Sequence, residues 1–147
     1  MASRLDRYLG AWVLHCHAGG PDGGDARERL VACTTDDVRY EDVPSGAVFD
    51  GHQGIVEMCT QGHQMSADLR YEIVSSVTDG RSYAFESVGK GTNTAAVGPI
   101  PATGRSFVLR VMSVGEFSGG LVRSHRDYWD LAGLLVQLGV MPPPRTD

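Results

Sequence analysis

His125 and Asp127 stand two residues apart in the run from Leu121 to Trp129, whose β-branched, aromatic and alternating character reads as a strand. Side chains of a strand alternate faces, so Arg123, His125, Asp127 and Trp129 are assigned to one face and Val122, Ser124, Arg126 and Tyr128 to the other. An imidazole beside a carboxylate can exchange a proton with it or set its pKa, and the adjoining Trp129 argues that this face is buried. In an apolar cavity such a carboxylate is expected to have its pKa raised toward neutrality. That suits removal of a proton α to a carbonyl and its later return. Asp127 is therefore the candidate proton carrier and His125 its tuning partner. Asp42, which shares a face with Tyr40 near the end of an earlier strand, is a second candidate. Asp130 is read differently, because it directly precedes the helical stripe Leu131, Leu134, Leu135 and Leu138 and can cap the first turn of that helix.

Other groups are set aside on geometry. His15 and His17 would diverge by about 200° on a helix, where a shared metal needs an i, i+3 or i, i+4 pair. Cys16, Cys33 and Cys59 are odd in number and lack C-x-x-C spacing, so they read as reduced thiols of a cytoplasmic protein. The Gly89-Lys90-Gly91 stretch follows a strand, opens no helix and lacks Walker spacing. These patterns predict no metal and no organic cofactor.

The elements that must hold these residues follow from periodicity. Ser3 and Asp6 resemble a capping arrangement, and Leu5, Tyr8, Leu9, Trp12 and Cys16 repeat at helical spacing, predicting a helix over residues 4–17. A Gly-rich break at 19–24 leads to a shorter helix through Ala26, Leu30 and Val31, and then to a turn at 34–37. Residues 38–42 read as a strand, and Gly51 to Ile55 opens a third helix bearing Met58 and Cys59. From there the pattern is strand: 69–77, 82–90, 106–117 and 121–129, joined by turns at Asp79-Gly80 and Ser118-Gly119-Gly120 and by a polar loop over 91–104. Gly139 suits a C-terminal cap, and Pro142, Pro143 and Pro144 end the last helix. The implied fold is α+β: a cone-shaped, curved antiparallel sheet, a half-barrel, closed by three N-terminal helices and carrying a short C-terminal helix. One domain spans residues 1–147, with 143–147 as a disordered tail. In the third strand of the meander Phe107, Leu109 and Val111 share one face while Val108, Met112 and Val114 make the other apolar as well. Cover on both sides is expected, hence a homodimer through the convex face.

Composition bounds the partners. The chain has 147 residues, 41% hydrophobic and 21% charged, with a formal net charge of −5 and Lys90 as its lysine. Nucleic-acid binding rests on clustered Lys and Arg, so DNA and RNA are excluded as partners. No apolar run approaches the roughly 20 residues of a membrane span, so none is expected.

Several short motifs carry a family resemblance: Arg7-Tyr8, the run Asp36 to Asp42, Asp50-Gly51-His52-Gln53-Gly54-Ile55, Thr103-Gly104-Arg105-Ser106, Arg126 to Asp130, and the closing Leu134 to Gly139. In this order, over nearly the whole chain, they resemble the SnoaL-like group of the nuclear-transport-factor-2-like superfamily, which also includes ketosteroid isomerase and limonene-1,2-epoxide hydrolase. The closing segment looks especially like SnoaL-type polyketide cyclases. The resemblance implies a cofactor-independent cyclase or isomerase acting on a small apolar polyketide-, steroid- or terpenoid-like carbonyl compound. Asp127 matches the carboxylate that serves as acid in the epoxide hydrolase. That enzyme's second carboxylate and bridging arginine fall on the strand around Tyr83 to Val88, where this chain offers Glu86 and Val88, so the ordinary hydrolase triad is missing. Asp42 falls where ketosteroid isomerase keeps its proton-shuttling carboxylate, and Tyr8 matches a tyrosine near that site, while the acidic donor of its oxyanion hole is replaced around Ser113. The expected catalytic set is Asp127, His125 and Asp42, with Tyr8, Trp12, Tyr40, Glu86 and Trp129 against the substrate. The alternatives are a non-catalytic binding or assembly domain of the same fold, and an epoxide hydrolase with an altered set whose base is Glu86 or Asp42.

Overall fold

The computed structural model describes residues 2–15 and 23–146. Its first helix, α1 (Arg4–Trp12), begins at a capping box in which the Ser3 hydroxyl accepts from the Asp6 amide and the Asp6 carboxylate accepts from the Ser3 amide. This helix buries Leu5, Tyr8, Leu9 and Trp12, and it ends short of the predicted 4–17. Cys16 and His17 lie outside the described residues. After α2 (Gly23–Ala32) come β1 (Thr34–Asp42), β2 (Ala47–Asp50), α3 (Gly51–Met65), β3 (Arg70–Thr78), β4 (Ser82–Thr92), β5 (Ser106–Ser118), β6 (Leu121–Trp129) and α4 (Leu131–Gln137).

The six strands form one sheet in the order β2-β1-β6-β5-β4-β3. Strands β3 to β6 are the antiparallel meander read from the sequence, but β1 lies parallel to β6, Tyr40 facing His125 and Asp42 facing Asp127. That pairing, between residues far apart in the chain, puts both candidate carboxylates on neighbouring strands. Strand β2, unforeseen, pairs antiparallel with β1 through a tight turn in which Gly46 adopts φ 76°. The segment 34–37, expected as a turn, is the start of β1.

The concave face carries two apolar clusters. One lies beneath the N-terminal helices and includes Leu5, Trp12, Leu30, Ile55 and Phe85. The other lies beneath α4 and includes Leu69, Phe107, Leu109, Val111, Leu134 and Leu138. Helix α4 is capped as its sequence requires: the Asp130 carboxylate accepts from the Gly133 amide at 2.8 Å. At the other end Gly139 has φ 75°, and the amides of Gly139 and Val140 return to Val136 and Leu135, closing a Schellman motif.

One expected alternation fails. A bulge interrupts the β5–β6 register between Glu116 and Phe117, so Val122 is buried and Arg123 is exposed. Arg123 therefore leaves the face of His125 and pairs outside with Glu116 at 2.7 Å. An extra residue on one strand reverses the faces beyond it, which a strict period of two cannot anticipate.

Candidate active site

Register assembles the site in rows across the sheet. One row runs Tyr83 (β4), Gly115 (β5), His125 (β6) and Tyr40 (β1); the next runs Phe85, Ser113, Asp127 and Asp42 on the same strands. Ser113 thus lies directly beside Asp127, and its hydroxyl donates to Asp127 Oδ1 at 2.6 Å. His125 Nε2 donates to the same oxygen at 2.6 Å, and the Tyr40 hydroxyl donates to Oδ2 at 2.5 Å. Tyr40 is oriented in turn by the Trp12 indole, which donates to its oxygen at 2.8 Å, and its ring stacks on His125 with centroids 4.3 Å apart.

Behind the imidazole, Nδ1 meets the hydroxyls of Tyr83 at 2.7 Å and Tyr8 at 3.0 Å. Tyr83 reaches His125 across Gly115, where a Cβ would come within 2.3 Å of the tyrosine oxygen and 2.4 Å of the Ser124 carbonyl. A side chain there would close the path, so the row depends on this glycine. Burial pushes the hydroxyls of Tyr8, Tyr40 and Tyr83 well above the usual phenol range, and all three stay protonated as potential donors.

Asp127 is 8% exposed. Burial works to raise its pKa, but the charge and hydrogen bond of His125, with the Ser113 and Tyr40 hydroxyls, outweigh it and hold the carboxyl below its ordinary value. The expected rise is therefore reversed, because three donors converge on this carboxylate and favour its ionised form. Asp42 goes the other way. Burial, with the nearby Asp127 charge, raises it against the lowering effect of hydrogen bonds from Ser45 and Trp129. The Trp129 indole donates to Asp42 Oδ1 at 2.5 Å.

Both carboxylates reach a cavity of about 440 Å³ between the two apolar clusters, with walls that include Trp12, Tyr40, Met58, Leu109 and Trp129. Of the residues singled out from sequence, Asp127, Asp42, Trp12, Tyr40 and Trp129 line it. His125 is wholly buried behind Asp127, and Tyr8 touches His125 instead of the cavity. Glu86 does not belong with them, since it lies on the outer face and takes a 2.7 Å hydrogen bond from Arg110. Sequence reasoning missed Tyr83 and the donor role of Ser113. The signal for Tyr83 was Gly115, a glycine inside a strand, which marks a close approach. His15, dismissed as half of a metal pair, lines the cavity, with its Nδ1 against the Trp12 carbonyl. Among the described residues no group of His, Cys, Asp and Glu is arranged to hold a metal. No described helix is long and apolar enough to cross a membrane.

An open, curved six-stranded sheet closed by helices over a cavity with a buried carboxylate defines an α+β protein of the ketosteroid-isomerase-like fold. The model of the SnoaL-like domain matches residues 16–125, and the chain belongs to that family. Among solved structures, TsrD from Streptomyces laurentii superposes with a TM-score of 0.79 at 22% identity, over 94% of this chain and 96% of its own. A SnoaL-like polyketide cyclase from Agrobacterium tumefaciens gives 0.74 at 22% identity, over 95% and 100%. A protein of ketosteroid-isomerase-like fold from Catenulispora acidiphila, solved in complex with trimethylamine, gives 0.73 at 20% identity, over 91% and 93%. No curated protein matches the chain.

Proposed function

We propose that the protein is a cofactor-independent acid/base enzyme, a cyclase or isomerase, acting on an apolar polyketide-, steroid- or terpenoid-like carbonyl compound. The observation that carries this reading is the pair of neighbouring carboxylates in one mainly apolar cavity whose surroundings push their pKa values apart. Asp127, held ionised, takes the proton from the carbon α to the carbonyl. Its Oδ1 already accepts two hydrogen bonds, while Oδ2 accepts one from Tyr40 and keeps an acceptor site for the substrate. The electron pair of the broken C–H bond moves into the enolate. The enolate then attacks a second carbonyl carbon within the same molecule, or is reprotonated at another carbon. Asp127 then returns the proton, to the new alkoxide oxygen after attack or to the other carbon after isomerisation, which restores its carboxylate. His125 does not touch the substrate; it positions Asp127 and balances its charge from behind.

The test is deuterium incorporation at the α carbon of a panel of polycyclic β-ketoesters, followed by NMR in heavy water. Wild-type protein accelerates exchange on at least one member, and Asp127→Asn removes most of that acceleration. Exchange that survives Asp127→Asn and vanishes in Asp42→Asn would transfer the base to Asp42. Epoxide opening would also have to draw its base from Asp42, since Glu86 faces outward.

A second reading concerns assembly. On the outer sheet face Val74 is 57%, Val77 69%, Val108 48% and Met112 48% exposed. An apolar surface of this kind supports a homodimer through the convex face, and sedimentation at micromolar concentration tests it against a monomer of 15.8 kDa. The protein is assigned to the cytoplasm with reduced cysteines. Burial pushes the Cys59 thiol up to about 12, which suits an inert core residue.

A further inference from the structure

The two cavity carboxylates are balanced very differently. Asp127 has an imidazole at 2.6 Å. Asp42 has only neutral donors, the Trp129 indole and the Ser45 hydroxyl, and no Lys, Arg or His partner among the described residues. The described cavity wall contains neither Lys nor Arg, and the sequence over 16–22 contains neither. The same wall presents the aromatic side chains of Trp12, Tyr40, Phe49, Tyr71 and Trp129. An ionised carboxylate facing a mainly apolar cavity is costly without a counter-charge, and aromatic faces attract cations.

We propose that this cavity selects a ligand that carries its own positive charge, an apolar body bearing an alkylated ammonium group, with the cation seated between Asp42 and the aromatic wall. The proposal rests on the reading that substrate binds in this cavity, and it names the substrate class. It also supplies what the acid/base step lacks. An enolate formed beside two carboxylates meets no lysine or arginine in the wall, whereas an ammonium group on the substrate offsets the developing charge. Anionic compounds are disfavoured by the same field, so free acids are excluded where esters and amines are admitted.

The experiment compares three probes of similar shape: 4-(hydroxymethyl)benzyltrimethylammonium, its uncharged carbon isostere, and 4-(hydroxymethyl)benzylsulfonate. Affinities are measured by NMR titration at about pH 8, well above the ordinary carboxylate range. The ammonium is expected to bind at least about ten-fold more tightly than the isostere, with the sulfonate weakest. Asp42→Asn should bring ammonium and isostere within about two-fold of each other, the loss expected when the charge-dependent part of binding is removed. Gln61, exposed on α3 at the cavity wall, gives a variant that leaves the buried network intact. Gln61→Lys should weaken the ammonium and strengthen the sulfonate, and it carries the test should Asp42→Asn fail to fold. Equal binding of ammonium and isostere, preference for the sulfonate, or no ammonium binding would each overturn the proposal. Ammonium selectivity without α-proton exchange would remove the acid/base reading alone, and exchange without such selectivity would remove this inference alone.

Discussion

The two faces of the sheet carry ion pairs of nearly equal length and unequal consequence. Outside, Glu86 meets Arg110 at 2.7 Å and Glu116 meets Arg123 at 2.7 Å, in both cases with an arginine more than half exposed. Inside, Asp127 meets His125 at 2.6 Å, with the imidazole fully buried. Water and salt screen the outer pairs, and each such pair contributes little to stability. The inner pair cannot be hydrated, and His125 with the Ser113 and Tyr40 hydroxyls holds the Asp127 carboxyl below its ordinary value. Distance alone therefore says little about what a charged pair does. Burial and the donors already committed to it decide whether a carboxylate is a solvated surface group or a chemical one.

The sharpest way to break this contrast is Asp127→Asn, which should lower the rate of α-proton exchange by about 100-fold or more, the usual worth of a positioned acid/base group. Next comes Gly115→Ala, whose Cβ would collide with the Tyr83 hydroxyl and the Ser124 carbonyl. Denaturant melting should show a loss of about 1–3 kcal/mol, typical of overpacking, and the His125 imidazole resonances should shift as Tyr83 is displaced. A smaller effect separates the two carboxylates through pH. Asp127, lowered in the fold, contributes stability that is present above the ordinary carboxylate range and lost as pH falls through its depressed value. Asp42, raised in the fold, does the reverse: its contribution is complete below the ordinary range and is lost as pH rises through its elevated value. Melts across the acid range should accordingly show a shallower acid loss in Asp127→Asn and a shallower decline on the higher side in Asp42→Asn. Smallest of all, Glu86→Gln on the outer face should change stability by no more than about 0.5 kcal/mol and leave exchange untouched; a marked drop in exchange would return Glu86 to the site.

Much of this was legible where local rules suffice. The capping box at Ser3 and Asp6, the Asp130 cap, the Gly139 terminator and the four long strands rest on neighbours in sequence. The shared face of His125 and Asp127 follows from a period of two, and both are buried. Long-range register was not legible. Nothing local says that β1 lies parallel to β6, which alone brings Asp42 beside Asp127. Nothing local says that Tyr83 crosses Gly115 to reach His125. Strand β2 was missed because four residues after a Ser45-Gly46 turn carry too little pattern. The direction of the Asp127 shift was misjudged for the same reason: three donors supplied by two other strands and by His125 cannot be counted from one strand.

Asp127 is proposed to remove a proton from a carbonyl compound bound in the cavity. A crystal structure with a non-enolisable α,α-difluoro-β-ketoester tests it most directly. The difluorinated carbon is expected about 3–3.5 Å from Asp127 Oδ2, the near-attack distance for reacting groups, with the ester body against Leu109 and Trp129. A ligand whose difluorinated carbon lies against Asp42 and out of reach of Asp127, or one bound outside this cavity, would contradict it.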